Sequence, residues 1–290
     1  MRKIGLLLLL VISIQVQAQD DAKKDSLDGW KRAGTFTFLF NQSAFSNYVA
    51  GGVNNIAGNL GINYNFNYKK GNLSWDNNIT TAYGLTKIQG EDLQKTDDRF
   101  EYNSLFGKKI KDTYWDFSFF LNFRTQFDKG FVDGTDPVSG EAIRVENSRI
   151  LSPAYLAFGP GLQWKKNDNL KFNLAPGSSR LTFVNELFTR DAAAFGVDQG
   201  ETIRYEVGFY ANGYYKFTIV ENVTMENILV LYTNYLENPQ NIDINYQINF
   251  VAQINKYLST NLSLQALYDD DAIGRVQLRE VFGLGVNFLF

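Results

Sequence analysis

The chain has 290 residues, with 15% aromatics, 24 Gly, 5 Pro and a formal net charge of -3. It holds no Cys and no His, which excludes disulfides, thiolate metal centres, iron–sulfur clusters, imidazole ligands and any Ser-His-Asp triad. Without a basic excess or basic run there is no footprint of a nucleic-acid binder, and a mean hydropathy of -0.24 is too low for a bundle of membrane helices.

Arg2 and Lys3 precede an apolar run from Leu6 to Ile14, and Val16-Gln17-Ala18 fits a small-residue cleavage site. Residues 1–18 therefore read as a secretory signal peptide cleaved after Ala18. The run is too short to cross a bilayer, and no other stretch is longer. Any membrane embedding must use strands. Residues 19–33 are polar and read as a short periplasmic lead.

From residue 34 the chain alternates with period two. Phe36, Phe38 and Phe40 alternate with Thr35, Thr37 and Leu39. The clearest segment is 55–69, with Ile56, Leu60, Ile62, Tyr64 and Phe66 on one face and Asn55, Asn59, Asn63, Asn65 and Asn67 on the other. A strand sends successive side chains to opposite faces, so this strand has one wet and one greasy side. The pattern returns with Trp75 and Ile79 against Asp76 and Asn78, and with Phe100 and Tyr102 against Arg99, Glu101 and Asn103. It continues with Phe117 and Phe119 against Asn122 and Arg124, Tyr205 and Val207 against Arg204 and Glu206, and Ile248 and Phe250 against Asn245 and Asn249. The last segment carries Val276, Leu278, Phe282, Leu284, Val286, Phe288 and Phe290 on one face.

These segments are longer than the five or six residues typical of soluble sandwiches, and they match membrane strands. The expected fold is all-β, a closed antiparallel transmembrane barrel over 34–290. Short connections fall near 70–72, 111–113, 166–168, 221–222 and 255–256. Long ones fall at 44–54, 87–97, 128–152, 187–201, 237–242 and 269–275. Short turns belong in the periplasm and long loops outside. With both termini in the periplasm the strand number must be even. Residues 169–186 are then one strand kinked at Pro176-Gly177, and the total is about twelve. Trp75, Trp115 and Trp164 sit beside short turns, as a periplasmic girdle requires. The terminal Phe290 is similar to the recognition signal of proteins inserted by the barrel assembly machinery, which is therefore an expected partner together with outer-membrane lipid.

Several blocks resemble one family: Ser46-Asn47-Tyr48-Val49-Ala50-Gly51-Gly52-Val53-Asn54, Trp75-Asp76-Asn77-Asn78, Tyr83-Gly84-Leu85-Thr86, Lys95-Thr96-Asp97-Asp98, Leu121-Asn122-Phe123-Arg124-Thr125-Gln126-Phe127, Leu151-Ser152-Pro153-Ala154-Tyr155, Tyr235-Leu236-Glu237-Asn238-Pro239-Gln240-Asn241-Ile242-Asp243 and Tyr268-Asp269-Asp270-Asp271. Jointly, over about 28–290, they resemble an uncharacterised Bacteroidota family of secreted outer-membrane barrels, a domain of unknown function. Val53 stands where that pattern has an acidic residue. The resemblance implies fold and an outer-membrane location but no activity.

The candidate functional residues are lumen charges at the extracellular mouth: Arg99, Glu101, Arg124, Arg204, Glu206 and Arg279. Such a ring either selects ions and small polar solutes or forms a structural salt-bridge lattice. The Asn face (Asn59, Asn63, Asn65, Asn67, Asn78, Asn103, Asn122, Asn245, Asn249) reads as a sugar-binding or simply hydrated wall. Asp269, Asp270 and Asp271, with Asp243 near the same rim, read as a candidate loop cation site suited to calcium or as a solvated acidic tip. Asp133-Gly134-Thr135-Asp136-Pro137 reads as a turn. Loop 187–201, with Phe195, is either an inward plug or disordered. Catalytic residues, metal centre and cofactor are all expected to be absent. An acid–base role for Glu101 with Glu206 is the only enzymatic version in view. The expected function is a narrow channel for small polar solutes or ions. The alternative is a plugged barrel whose extracellular loops bind a partner or surface glycan.

Overall fold

The computed structural model describes residues 28–45, 53–136, 139–269 and 274–290. The expected signal peptide and most of the lead lie outside these residues. Along the chain run β1 (Gly29–Ser43), β2 (Asn55–Lys70), β3 (Leu73–Ile88), β4 (Gln94–Lys109), β5 (Trp115–Thr125), β6 (Gly130–Thr135), β7 (Ala142–Ser148), β8 (Ala154–Asn167) and β9 (Leu170–Phe183). A single helical turn α1 (Glu186–Thr189) follows. Then come β10 (Ile203–Val220), β11 (Val223–Asn234), β12 (Asp243–Gln253), β13 (Leu258–Tyr268) and β14 (Gln277–Leu289). Twelve strands of the described residues close into an antiparallel barrel in the order β1-β14-β13-β12-β11-β10-β9-β8-β5-β4-β3-β2. β6 and β7 form a separate hairpin.

The barrel strands run from 11 to 18 residues, and the period-two pattern sorts their side chains. Phe38, Leu60, Phe106, Phe117, Phe119, Leu278, Phe282 and Phe288 point outward and are exposed. The buried residues include Asp97, Asp116, Gln163, Asn173 and Glu206. The molecule is thus inside-out relative to a water-soluble protein. A girdle of aromatics marks the short-turn end: Trp30–Trp75 at 5.8 Å, Tyr114–Trp164 at 6.1 Å and Trp115–Phe172 at 5.6 Å. Trp30 completes the set of four Trp there.

Local departures from the ladder aim particular residues. β9 is one strand, and its pairing jumps at Pro176-Gly177 against both β10 and β8. Pro cannot donate to the ladder, so the strand bulges there. A second bulge leaves Thr96 unpaired between Gly84↔Asp97 and Leu85↔Lys95. Asp97 keeps the inward parity of Arg99, and the bulge places Lys95 on the outward side with Asp98, where they pair at 2.6 Å. A one-residue insertion reverses the facing of everything beyond it. The barrel closes between β1 and β14, where the Gly34 amide donates to the Phe290 carbonyl at 2.7 Å. The Phe290 ring stands where a Cβ on Gly34 would be and stacks on Tyr64 at 5.9 Å.

Three expectations on element limits need correction. β1 starts at Gly29, ahead of 34, because Trp30 and Lys31 continue its ladder with Tyr68 and Asn67. The segment 87–97 is largely strand, since β3 runs to Ile88 and β4 begins at Gln94. The polar composition of Gln94-Lys95-Thr96-Asp97-Asp98 hid a strand whose inner side is wet. Asp133-Gly134-Thr135 lies within β6, and the turn comes later, where the Gly140 amide donates to the Asp136 carbonyl at 2.9 Å.

Gly208 is the tightest backbone approach in the wall. A Cβ there would lie 1.9 Å from the Thr233 carbonyl oxygen and 2.9 Å from the Tyr232 ring. Backbone cannot yield as a side-chain tip can. Gly208→Val is expected to destabilise the barrel by at least about 2 kcal/mol, measured as a lowered urea midpoint of tryptophan fluorescence with the slope unchanged.

Candidate functional site

All six sequence-expected charges lie on strand residues near the long-loop end, in two clusters. The first is built by β4, β5 and β14. Asp97, 9% exposed, accepts from Arg279 and from Asn59 Nδ2 at 2.9 Å. Arg99 reaches across the lumen from β4 to β12, where its Nη1 donates to Gln247 Oε1 at 3.2 Å. Glu101 accepts from Asn103 Nδ2 at 2.9 Å and Asn122 Nδ2 at 3.2 Å. The Arg124 guanidinium lies 4.7 Å over the Tyr155 ring. Asp97, Arg99, Arg124, Tyr155 and Arg279 line a vestibule of about 490 Å³ together with Thr96, Asp98, Gln265 and Gln277.

The second cluster centres on Arg180 of β9, which the sequence reading missed. Its Nε and Nη2 hold both oxygens of Glu206 at 2.5 and 2.8 Å, and its Nη1 donates to Asp243 of β12. The guanidinium also sits 4.0 Å over the Tyr232 ring. Glu206 is 1% exposed. Bidentate geometry and complete pairing offset the desolvation of that charge. Arg204 extends the cluster outward, donating from Nη2 to Glu237 at 3.0 Å and from Nη1 to the Gly196 carbonyl at 3.0 Å. Alternation would have found Arg180, had the Pro176-Gly177 bulge not hidden the parity of residues 178–183.

Below the vestibule a cavity of about 770 Å³ is lined by residues from all twelve barrel strands. All nine Asn of the expected wet wall line it. They bond one another and their neighbours: Asn78 Nδ2 to Asn65 Oδ1 at 3.0 Å, Asn122 Nδ2 to Asn103 Oδ1 at 2.6 Å and Asn249 Nδ2 to Glu226 at 2.9 Å. On β5 and β8 to β11 the inward residues Phe120, Ala157, Ala175, Tyr210 and Tyr232 pack together, and Phe120 and Tyr210 border the cavity. Phe120 and Tyr210 stack at 4.1 Å. This apolar packing at inward positions was not expected. At the turn end Lys165 donates to Asp76, three strands away round the wall, at 3.2 Å and pairs with Asp168 at 2.9 Å.

The long loops are folded where they are described. In 184–202, Val197 is buried, Phe195 is half-buried and α1 is capped by the Asn185 side chain. In 126–153, the β6–β7 hairpin is tied at its base by Asp98, which accepts from the Phe127 and Asp128 amides at 2.8 and 2.9 Å. Asp128 accepts from the Lys129 amide at 2.7 Å and from the Tyr83 hydroxyl at 3.0 Å. These bonds hold its carboxyl below the ordinary carboxylate range, the Lys129 amide contributing most. Asp270 and Asp271 lie outside the described residues, and among the described residues no group of three or more acidic side chains is placed to hold a metal ion. Glu101 and Glu206 belong to different clusters, each held by its own donors.

The model of a family described as a protein of unknown function (DUF3078) matches residues 40–131. No curated protein is detectably similar in sequence. Among solved structures, an outer membrane channel from Pseudomonas putida F1 is 8% identical with a TM-score of 0.42, over 93% of this chain and 99% of that one. The translocator domain of autotransporter NalP from Neisseria meningitidis is 8% identical with a TM-score of 0.38, over 93% and 90%. The outer membrane channel DcaP of Acinetobacter baumannii is 8% identical with a TM-score of 0.31, over 91% and 96%.

Two outcomes are expected of this geometry. Arg180→Ala leaves Glu206 and Asp243 without their shared cation and costs about 3–5 kcal/mol; adding Glu206→Gln and Asp243→Asn recovers part of it, measured by urea unfolding. Asp128 has a depressed folded pKa, so its contribution is full above the unfolded value near 4 and is lost as pH falls through the folded value. Amide exchange at the base of loop 126–153, corrected for intrinsic rates, is therefore faster at pH 3 than at pH 5 relative to the barrel strands.

Proposed function

We propose that the protein is an outer-membrane barrel that passes small polar solutes through a narrow passage. The observation that carries this reading is the continuity of polar lining. The vestibule and the Asn-lined cavity share Asp97, Arg99 and Arg279, and the cavity reaches down to Asp168, Lys216 and Glu226 near the turn end. A wall of amides offers hydrogen bonds to water and hydroxyls without strong charge. The packed aromatic side narrows the bore, and Arg99–Gln247 and Arg279–Asp97 cross its top.

The exposed apolar belt and the aromatic girdle support the membrane setting. The basic start, apolar run and small-residue site at 1–18 support export with cleavage after Ala18. In this reading the turns face the periplasm and the loops the outside. Phe290, seated at the β1–β14 seam, is the residue offered to the assembly machinery. The engagement of Glu101 by amides and of Glu206 by Arg180 argues against either as a free acid or base.

A second reading has one observation in its favour. The outer loops are fixed on the barrel, with the chain at Gly196 and Glu237 held by Arg204, and the β6–β7 hairpin exposes Phe131, Val132 and Val145. Such loops suit a partner or glycan.

Planar-bilayer recording of the purified, folded protein decides between them. Small, stable conductance steps are expected, and the double substitution Asp97→Asn with Arg279→Gln should enlarge them by removing the ion pair across the top. A folded barrel without steps in either form overturns the transport reading.

A further inference from the structure

We propose that the loop-end vestibule is a binding site for a small hydroxylated organic anion carrying a single negative charge, such as a sugar carboxylate, with its oxyanion held by Arg99 and Arg124. This rests on the transport reading and gives it a solute class.

The charge count of the vestibule points to an anion. Asp97 answers Arg279, and Asp98 answers Lys95 on the outward side. Glu101 lies at the next inward position and is engaged by Asn103 and Asn122. Among the lining residues three guanidiniums stand against Asp97 and Asp98, and counting Glu101 just below them together with Lys95, which answers Asp98, still leaves one positive charge over. Among the described residues neither Arg99 nor Arg124 makes an ion pair.

The donor geometry agrees. Arg99 Nε and Arg279 Nη1 are buried and have no hydrogen-bond partner among the described residues. A buried donor left unmade is costly, and a guanidinium fork fits an oxyanion better than it fits lone waters. The Arg124 guanidinium sits 4.7 Å over the Tyr155 ring, a contact with the ring face that uses none of its N–H groups as hydrogen-bond donors. Thr96, Gln265 and Gln277 supply partners for hydroxyls on the same cavity wall. Its volume of about 490 Å³ lies within the range of small-molecule sites, roughly 300–1,000 Å³. The single unmatched charge favours a carboxylate over a doubly charged phosphate ester.

The test is equilibrium binding to the full-length protein, folded in detergent, at constant ionic strength. The probes are glucuronate, glucose and glucose 6-phosphate. Heat-modifiable gel mobility certifies each variant as folded. Glucuronate is expected to bind at least about tenfold tighter than glucose, and Arg99→Gln and Arg124→Gln each to weaken it about ten- to hundredfold. Arg190→Gln removes an exposed loop charge paired with Asp191 and should change nothing. Where Arg99→Gln fails the mobility test, Arg124→Gln carries the decision.

Glucose binding as tightly as glucuronate, folded variants with unchanged affinity, or no glucuronate binding at all would overturn the site. Preference for glucose 6-phosphate would overturn the single-charge assignment. The same preparations are recorded in bilayers. A barrel that conducts but binds no glucuronate loses the site and keeps the channel. A barrel that binds glucuronate without conducting loses the channel and keeps the site.

Discussion

The rest of this structure depends on closure of the sheet. A backbone N–H or C=O facing lipid finds no partner there, so each must be met by a neighbouring strand and the sheet can have no free edge. The first and last strands must therefore meet, and they do so where the Phe290 ring occupies the space that Gly34 leaves open. Closure then turns one face of every strand into a wall and the other into a shared interior. The alternation of each strand becomes an inside and an outside for the whole molecule.

Inside that wall the chemistry is uneven. One side is a packed core around Phe120 and Tyr210; the other is a hydrogen-bonded lattice of Asn, Gln and Ser side chains. The packed side needs no water. The amide side satisfies much of its own polarity while leaving a lined space. Charges are placed at the two ends of this space, and interior ones such as Asp76, Arg180 and Asp97 are bound in pairs that cross between strands. Such pairs fix the cross-section of the barrel, since removing one partner strands the other in a poorly solvated interior.

Much of the fold was legible because its signals are local. Residues 55–69 declare their wet and dry faces, and Pro176-Gly177 together with the parity of strand number predicted a kinked single strand. The residues at the mouth were legible for the same reason: Arg99, Glu101, Arg204 and Glu206 fall on inward positions of regular strands. What was missed lay beyond an irregularity or within an expected loop. Arg180 follows the Pro176-Gly177 bulge, while Asp97, which shares the parity of Arg99, lay in the polar segment 87–97 that read as a loop. A bulge shifts the period by one, and nothing in the residues nearby says which position will be skipped.

The sequence by itself determined the strands, their greasy and wet faces, their even number and the side on which the long loops lie, because a two-residue repeat is written in adjacent residues. Only the tertiary structure decided that Arg99 meets Gln247, that Arg180 joins Glu206 to Asp243, and that Lys165 reaches Asp76. Arg180 and Glu206 face each other on neighbouring β9 and β10, but the other partners sit on strands that are not neighbours, and their distance is set by curvature and stagger of the closed wall. That geometry belongs to the ring as a whole and leaves no mark on any one strand.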